Sequence, residues 1–182
     1  MTASLPAKKY DIIYADPPWR YTFAVENRKI ENHYPTMEVL EICNVQVPSA
    51  ENSILFLWGT APKLLEALEV MKAWGFEYKT NAVWDKKRIG MGYYFRGQHE
   101  HLLVGIKGEF IPPEVNFRNS SIYREKRTEH SVKPAFFRTW IAEAYPLQSK
   151  LEMFARERIE GWDAWGNEIP PHTQLQLHEV TS

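Results

Sequence analysis

The chain alternates short, almost wholly apolar runs with longer amphipathic ones. Tyr10–Ala15 (YDIIYA) reads as a buried strand that stops at Asp16-Pro17-Pro18. Ser53–Trp58 (SILFLW) is uninterrupted, the pattern of a strand covered on both faces. Tyr78–Trp84, Glu100–Ile106, Lys150–Ala155 and Trp162–Trp165 complete the predicted strands. Between them the period changes. Pro62–Trp74 predicts a helix, with Thr60 as cap, Pro62 in the first turn and Gly75 as terminator. Its expected inner face is Leu64, Leu68 and Met71, with Leu65 beside them. Pro134–Tyr145 predicts a second helix, burying Phe137, Trp140, Ile141 and Ala144, and Thr36–Cys43 a short one. Two loops are expected, a Gly-rich basic one between Trp84 and Glu100 and a long one over Gly108–Val132. This alternation implies an α/β fold: a mixed, mostly parallel sheet with helices on both faces. In such sheets ligands bind beyond the carboxyl ends of the strands, where Asp16-Pro17-Pro18-Trp19 lies.

Length and composition narrow the class. At 182 residues, 44% hydrophobic and 14% aromatic, the chain is expected to be globular, with one domain over 1–169 and a tail over 170–182. No run approaches the roughly 18 apolar residues of a membrane helix, and the N-terminus has no apolar signal core. A cytoplasmic protein, monomeric or homodimeric and without a membrane association, is expected. Cys43 is the lone cysteine, which rules out a disulfide framework, and the scattered histidines suggest no metal site. The net charge is −1, yet residues 79–107 and 118–138 each carry a local +4. Two basic segments on a neutral chain suit local phosphate contact, or else two solvated loops.

The chemistry concentrates at Asp16-Pro17-Pro18-Trp19. Two prolines stiffen the backbone and remove two N–H donors. Asp16 adds a carboxylate, and Trp19 a flat face. Such a corner offers acceptors to an exocyclic purine amine. The lone pair of adenine N6 is delocalised into the ring and is a poor nucleophile. Acceptance of both N–H bonds, by Asp16 and the Pro17 carbonyl, would free that lone pair for a methyl donor and stabilise the charge growing on nitrogen. A base inside a duplex must first leave the stack, and Trp19 would then receive it.

YADPPW at 14–19 resembles the core of the MT-A-seventy adenine methyltransferases. The resemblance continues in order through HYPTM (33–37), ILFLWGT (54–60), WGF (74–76), VW (83–84), EHLLVGIKG (100–108), HSVKP (130–134), LEMFAR (151–156) and GWDAWGNE (161–168). Ala155 departs from it where glycine is common, as do Arg158 and Ile159 where His-Asn is common in the eukaryotic members. The resemblance implies a Rossmann-like methyltransferase fold, with the catalytic motif N-terminal to the cofactor segments and S-adenosyl-L-methionine as cofactor. It implies catalysis by Asp16, Pro17, Pro18 and Trp19. Cofactor contacts fall to Asp16, to Lys133 at the methionine carboxylate, to Arg156 at the ribose side, and to Asn167 and Glu168 at the adenosine end. Substrate contacts fall to Trp19, Tyr34, Lys86 and Glu100.

The alternatives divide on residues. A cytosine-C5 enzyme needs a nucleophilic cysteine, and Cys43 lacks that context. An N4-cytosine enzyme usually carries serine in place of Asp16. Compactness, with no added RNA module, favours DNA over RNA as the partner. An inactive nucleic-acid-binding subunit would have lost the Asp or the Pro-Pro pair.

Overall fold

A computed structural model describes residues 5–21, 36–127 and 132–169. Its strands are β1 (Tyr10–Ala15), β2 (Ser49–Thr60), β3 (Glu77–Asp85), β4 (His99–Lys107), β5 (Ile122–Arg124), β6 (Lys150–Met153) and β7 (Asp163–Trp165). Its helices are α1 (Val39–Cys43), α2 (Leu64–Ala73) and α3 (Ala135–Ala144). The strands form one sheet in the order β5-β3-β4-β2-β1-β6-β7. β1 pairs in parallel with β2 and β6, as do β6 with β7 and β3 with β5. Only β4 runs against its neighbours, β2 and β3. The sheet is therefore mixed and mostly parallel, as the strand pattern implied.

Alternation along β1 and β2 splits the core in two. Ile13, Leu55 and Leu57 face α1 and α2, meeting Ile42, Ala67, Val70 and Met71. Ile12, Tyr14, Phe56 and Trp58 face α3, meeting Phe137 and Ile141. Each buried aliphatic or aromatic side chain contributes about 1.5–3 kcal/mol, so these faces fix the register of the central strands. At the centre of the α3 side, the Trp58 indole N–H donates to the Tyr14 hydroxyl at 2.7 Å, and Trp58 meets Phe137 edge to face.

Three expectations change. On α2, Met71 is buried and Leu64 and Leu68 pack half-buried against the core as expected, but Ala67 and Val70 are the more deeply buried and Leu65 turns outward, 79% exposed. A 3-10 turn over Ala61–Lys63 precedes α2. Thr60 does not cap with its side chain; its hydroxyl instead bonds Tyr21 Oη at 2.7 Å. The segment expected as one long loop contains β5, which extends the sheet edge beside β3. Gly75 does end the α2 region as expected, at a φ of 82° that a side chain would resist. The tail from residue 170 lies outside the described residues.

Candidate active site

β1, β2 and β6 are mutually parallel, so their carboxyl ends converge on one edge of the sheet. β4 runs the opposite way, and its pairing of Glu100 with Thr60 brings its start to that edge too. A pocket opens there. Asp16, Trp58, Thr60, Glu100, Lys133 and Arg156 line it, with the Phe154–Ala155 turn and Asn167-Glu168 on the β6–β7 side.

Its centre is ionic. Lys133 Nζ lies 2.6 Å from Asp16 Oδ2 and 3.5 Å from Glu100 Oε2, and sits over the Trp58 ring at 5.5 Å. Lys86 Nζ approaches Glu100 Oε1 at 3.1 Å. Two carboxylates and two ammonium groups thus alternate across the pocket wall, mostly shielded from solvent. Burial holds the Asp16 carboxyl above the ordinary aspartate value, and Lys133 opposes that rise without cancelling it. Glu100 goes the other way. Burial would raise it, but Lys133 and Lys86 together hold its carboxyl below the ordinary glutamate value. Lys133 immediately precedes Pro134, the residue at the N-terminal cap of α3, so the cation stands beside the positive end of that helix.

The proline corner is stiffer and less open than the motif suggested. Pro17 is buried and its carbonyl already accepts the Trp19 N–H at 2.9 Å; a carbonyl has a second lone pair, so one acceptor position is left. The Pro18 carbonyl accepts the Met37 N–H at 2.8 Å, which ties the corner to the segment before α1. Trp19 does not offer the free stacking face expected of it. It is 5% exposed, packs in the core with Ile42 and Leu57, and donates its indole N–H to the Trp58 carbonyl at 3.1 Å. This bond ties the corner to β2, while Trp19 still forms part of the pocket lining.

Of the other expected residues, Arg156 and Glu168 stand 3.6 Å apart across the β6–β7 side of the pocket, with Asn167 beside them. Lys86 is not in the pocket lining; it reaches the site through Glu100. Tyr34 lies outside the described residues. Sequence reasoning missed Tyr21, Thr60, Arg127 and Phe154, which also line the pocket. Phe154 adopts a φ of 61° directly after β6, a strained turn for a side-chain-bearing residue. The signal available was its place at the carboxyl end of a parallel strand. Among the described residues, no group of three or more His, Cys, Asp or Glu could hold a metal ion, and no helix is long and apolar enough to cross a membrane.

The pocket's donor set suits a molecule carrying a carboxylate, an ammonium, a sulfonium and a ribose. Lys133 is a cation that could meet the first, and Arg156 stands on the β6–β7 side where the last could lie. Asp16 and Glu168 are anions for the next two, and Asn167 with Glu168 can bond a diol. The chain is 38% identical to the Type II methyltransferase M.MunI of Mycoplasma sp, over 91% of its own length and 80% of that protein's. It is 31% identical to the N(6)-adenosine-methyltransferase MT-A70-like protein of Arabidopsis thaliana and 27% identical to the human N(6)-adenosine-methyltransferase catalytic subunit METTL3. Each of those matches covers 88% of this chain but only 24% and 28% of the longer relatives. The MT-A70 family model matches residues 10–168, from the first residue of β1 to the last lining residue of the pocket, and the chain belongs to the MT-A70 family of methyltransferases.

Proposed function

We propose that this protein methylates the N6 amino group of adenine in DNA, with S-adenosyl-L-methionine as methyl donor and a target base that is flipped out or already unpaired. The observation that carries the reading is Asp16. It is held at the end of β1 by a largely shielded lysine, in a pocket whose β6–β7 side carries Arg156, Asn167 and Glu168. Lys133 engages Oδ2, and no described residue uses Oδ1. Oδ1 and the remaining Pro17 lone pair are then the two acceptors for the N6 hydrogens. S-adenosyl-L-methionine, when bound, supplies an electrophilic methyl group on a sulfonium. Lys133 would hold its methionine end, with Arg156, Asn167 and Glu168 on the side of its ribose and adenosine. The N6 nitrogen would gain the methyl carbon as that carbon's bond to sulfur breaks, the sulfur leaving as a neutral thioether, and would lose one proton. Asp16, whose carboxyl burial makes more basic than usual, is placed to accept that proton and pass it to water. Glu100 and Lys86 hold Lys133 and the pocket wall in place while the base is present.

DNA is favoured because M.MunI, named a type II methyltransferase, matches this chain over most of both lengths. RNA is the second reading, favoured by the names of the plant and animal N(6)-adenosine relatives. A cytoplasmic location fits either. Incubation with methyl-labelled S-adenosyl-L-methionine and matched DNA and RNA pools, followed by nucleoside analysis, tests the proposal. Label in N6-methyldeoxyadenosine is the expected result. Label confined to N6-methyladenosine would replace DNA with RNA, and label in a cytosine product would reject the adenine reading.

A further inference from the structure

The β3–β4 connection, residues 86–98, is a narrow ribbon with an apolar tip. Its stem is pinned by backbone bonds from Lys86 to Gln98, Gly90 to Gly97 and Gly97 to Met91. Asp85 anchors its base, accepting from the Lys87 backbone N–H and the Gln98 side chain. Arg96 Nε donates across the ribbon to the Gly90 carbonyl. The turn is tight: a Cβ on Gly92 would stand 2.0 Å from the Phe95 carbonyl oxygen. At this apex Tyr93, Tyr94 and Phe95 are 92%, 97% and 91% exposed. Three adjacent aromatics open to water are costly unless something covers them.

Charge and position indicate what does. Residues 86–99 contain Lys86, Lys87, Arg88 and Arg96 and no Asp or Glu, and Lys87, Arg88 and Arg96 are exposed. A second copy of the chain would set this cationic ribbon against its own like charge in a two-fold contact, so self-pairing is disfavoured. A polymer with phosphates outside and flat stacking faces inside answers both features. The ribbon also rises from the edge of the sheet that carries the pocket, because β3 ends and β4 begins there. Its first residue, Lys86, is bonded to Glu100 of the pocket wall at 3.1 Å.

We infer that the Tyr93-Tyr94-Phe95 tip is a wedge that inserts between the bases of duplex DNA beside the pocket, while Lys87, Arg88 and Arg96 hold the flanking phosphates. The inference rests on the DNA reading above and adds the means by which a paired base leaves the stack. Unstacking a base step is unfavourable, and an inserted aromatic face offsets part of that cost. A target that is already unpaired has no such barrier. The wedge therefore matters for duplex and not for single-stranded substrate.

The test compares the wild-type chain with a Tyr93→Ala/Tyr94→Ala/Phe95→Ala variant, whose exposed positions make no demand on folding. Polymerase-copied DNA free of methylated bases is offered as duplex and after heat denaturation. The variant should lose methylation of the duplex by roughly tenfold or more and keep that of denatured DNA within about twofold. Equal loss on both forms, or no loss on either, overturns the wedge. Permanganate oxidation of thymines gives a readout independent of methyl transfer. Wild-type protein should raise thymine reactivity in the bound duplex, and the variant should not. Bound wild-type protein that leaves thymines protected overturns the wedge even if methylation is normal. Raised reactivity without any methylated adenine keeps the wedge and rejects the catalytic reading. Wild-type dimers that the variant turns into monomers by sedimentation would assign the tip to a second copy instead.

Discussion

Lys133 and Asp16 are 117 positions apart in the chain and 2.6 Å apart in space. The bond joins the residue before α3 to the end of β1, so the helix and the catalytic corner are positioned as one unit. Neither group is left alone if the other is removed: Lys133 also reaches Glu100 at 3.5 Å, and Arg156 adds positive potential near Asp16. Asp16→Asn should therefore fold. We expect its methyl transfer to fall on the order of 100–1000-fold, the usual cost of removing one preorganised charge-stabilising group, with a stability change of about 1–2 kcal/mol. Thermal melting and labelled methyl transfer on the same preparation check this. Turnover near the wild-type rate would remove Asp16 from the mechanism.

The opposite displacements of Asp16 and Glu100 make the pH profile informative. In the proposed mechanism methyl transfer needs Asp16 ionised, so the rate should fall on the acid side at a pH above the ordinary aspartate value of 3.8. Lys133 lowers the Asp16 pKa and Glu100 raises it. Lys133→Met should move the acid limb to higher pH, and Glu100→Gln should move it to lower pH, both read at saturating cofactor. Stability follows a separate rule. Glu100 lies below the ordinary glutamate value of 4.5, so its contribution is present above that value and fades as the pH falls through its lowered pKa. A limb that stays in place in both variants would mean that another group titrates.

Lys133 should also separate cofactor from nucleic acid. Its side chain is mostly shielded inside the pocket, whereas the exposed cations of the β3–β4 ribbon are open to phosphate. Lys133→Ala is expected to weaken S-adenosyl-L-methionine binding about tenfold while DNA affinity changes less than about twofold. Calorimetry with each ligand measures both. Unchanged cofactor affinity would reassign Lys133 to holding Asp16 alone.

Much of this arrangement was legible in the sequence because it rests on local pattern. β1, β2 and β4 show as apolar runs, Gly75 stands where a helix must stop, and Asp16 follows a strand. What was not legible depends on tertiary contact. β5 is three half-exposed or exposed residues whose strand conformation comes from pairing with β3, so no apolar pattern announces it. Trp19 was read as a stacking face because an aromatic after Asp-Pro-Pro looks available; only the fold shows its N–H reaching the Trp58 carbonyl. Tyr21 enters the pocket through a hydroxyl pair with Thr60, 39 positions away, which spacing cannot reveal.

The revised role of Trp19 has a direct test. As a buried brace, Trp19→Ala should destabilise the fold by about 3–5 kcal/mol, and Trp19→Phe by about 1–3 kcal/mol through the unpaired Trp58 carbonyl. Denaturant unfolding measures both. If Trp19→Phe keeps normal stability and loses turnover on unpaired adenine, the ring would have to contact the base after all.

Gly166 tests the cofactor side without touching a charged group. It packs so close to the turn after β6 that a Cβ would lie 2.1 Å from the Ala155 carbonyl oxygen and 2.7 Å from the Ala155 nitrogen. Both obstacles are backbone, and the Ala155 N–H is already committed to the Trp165 carbonyl at 3.0 Å. The chain cannot give way by rotating a side chain. Gly166→Ala must instead push Asn167 and Glu168 away from Arg156, opening the side of the pocket assigned to the ribose. We expect a stability loss of about 1–3 kcal/mol from overpacking and a cofactor affinity lowered by roughly tenfold or more. DNA binding, which we assign to the basic ribbon at the other end of the sheet, should change little. Calorimetry with S-adenosyl-L-methionine and a gel-shift titration with duplex DNA separate the two effects. Wild-type cofactor affinity in a Gly166→Ala protein that is measurably destabilised would move the ribose contacts away from the β7 turn.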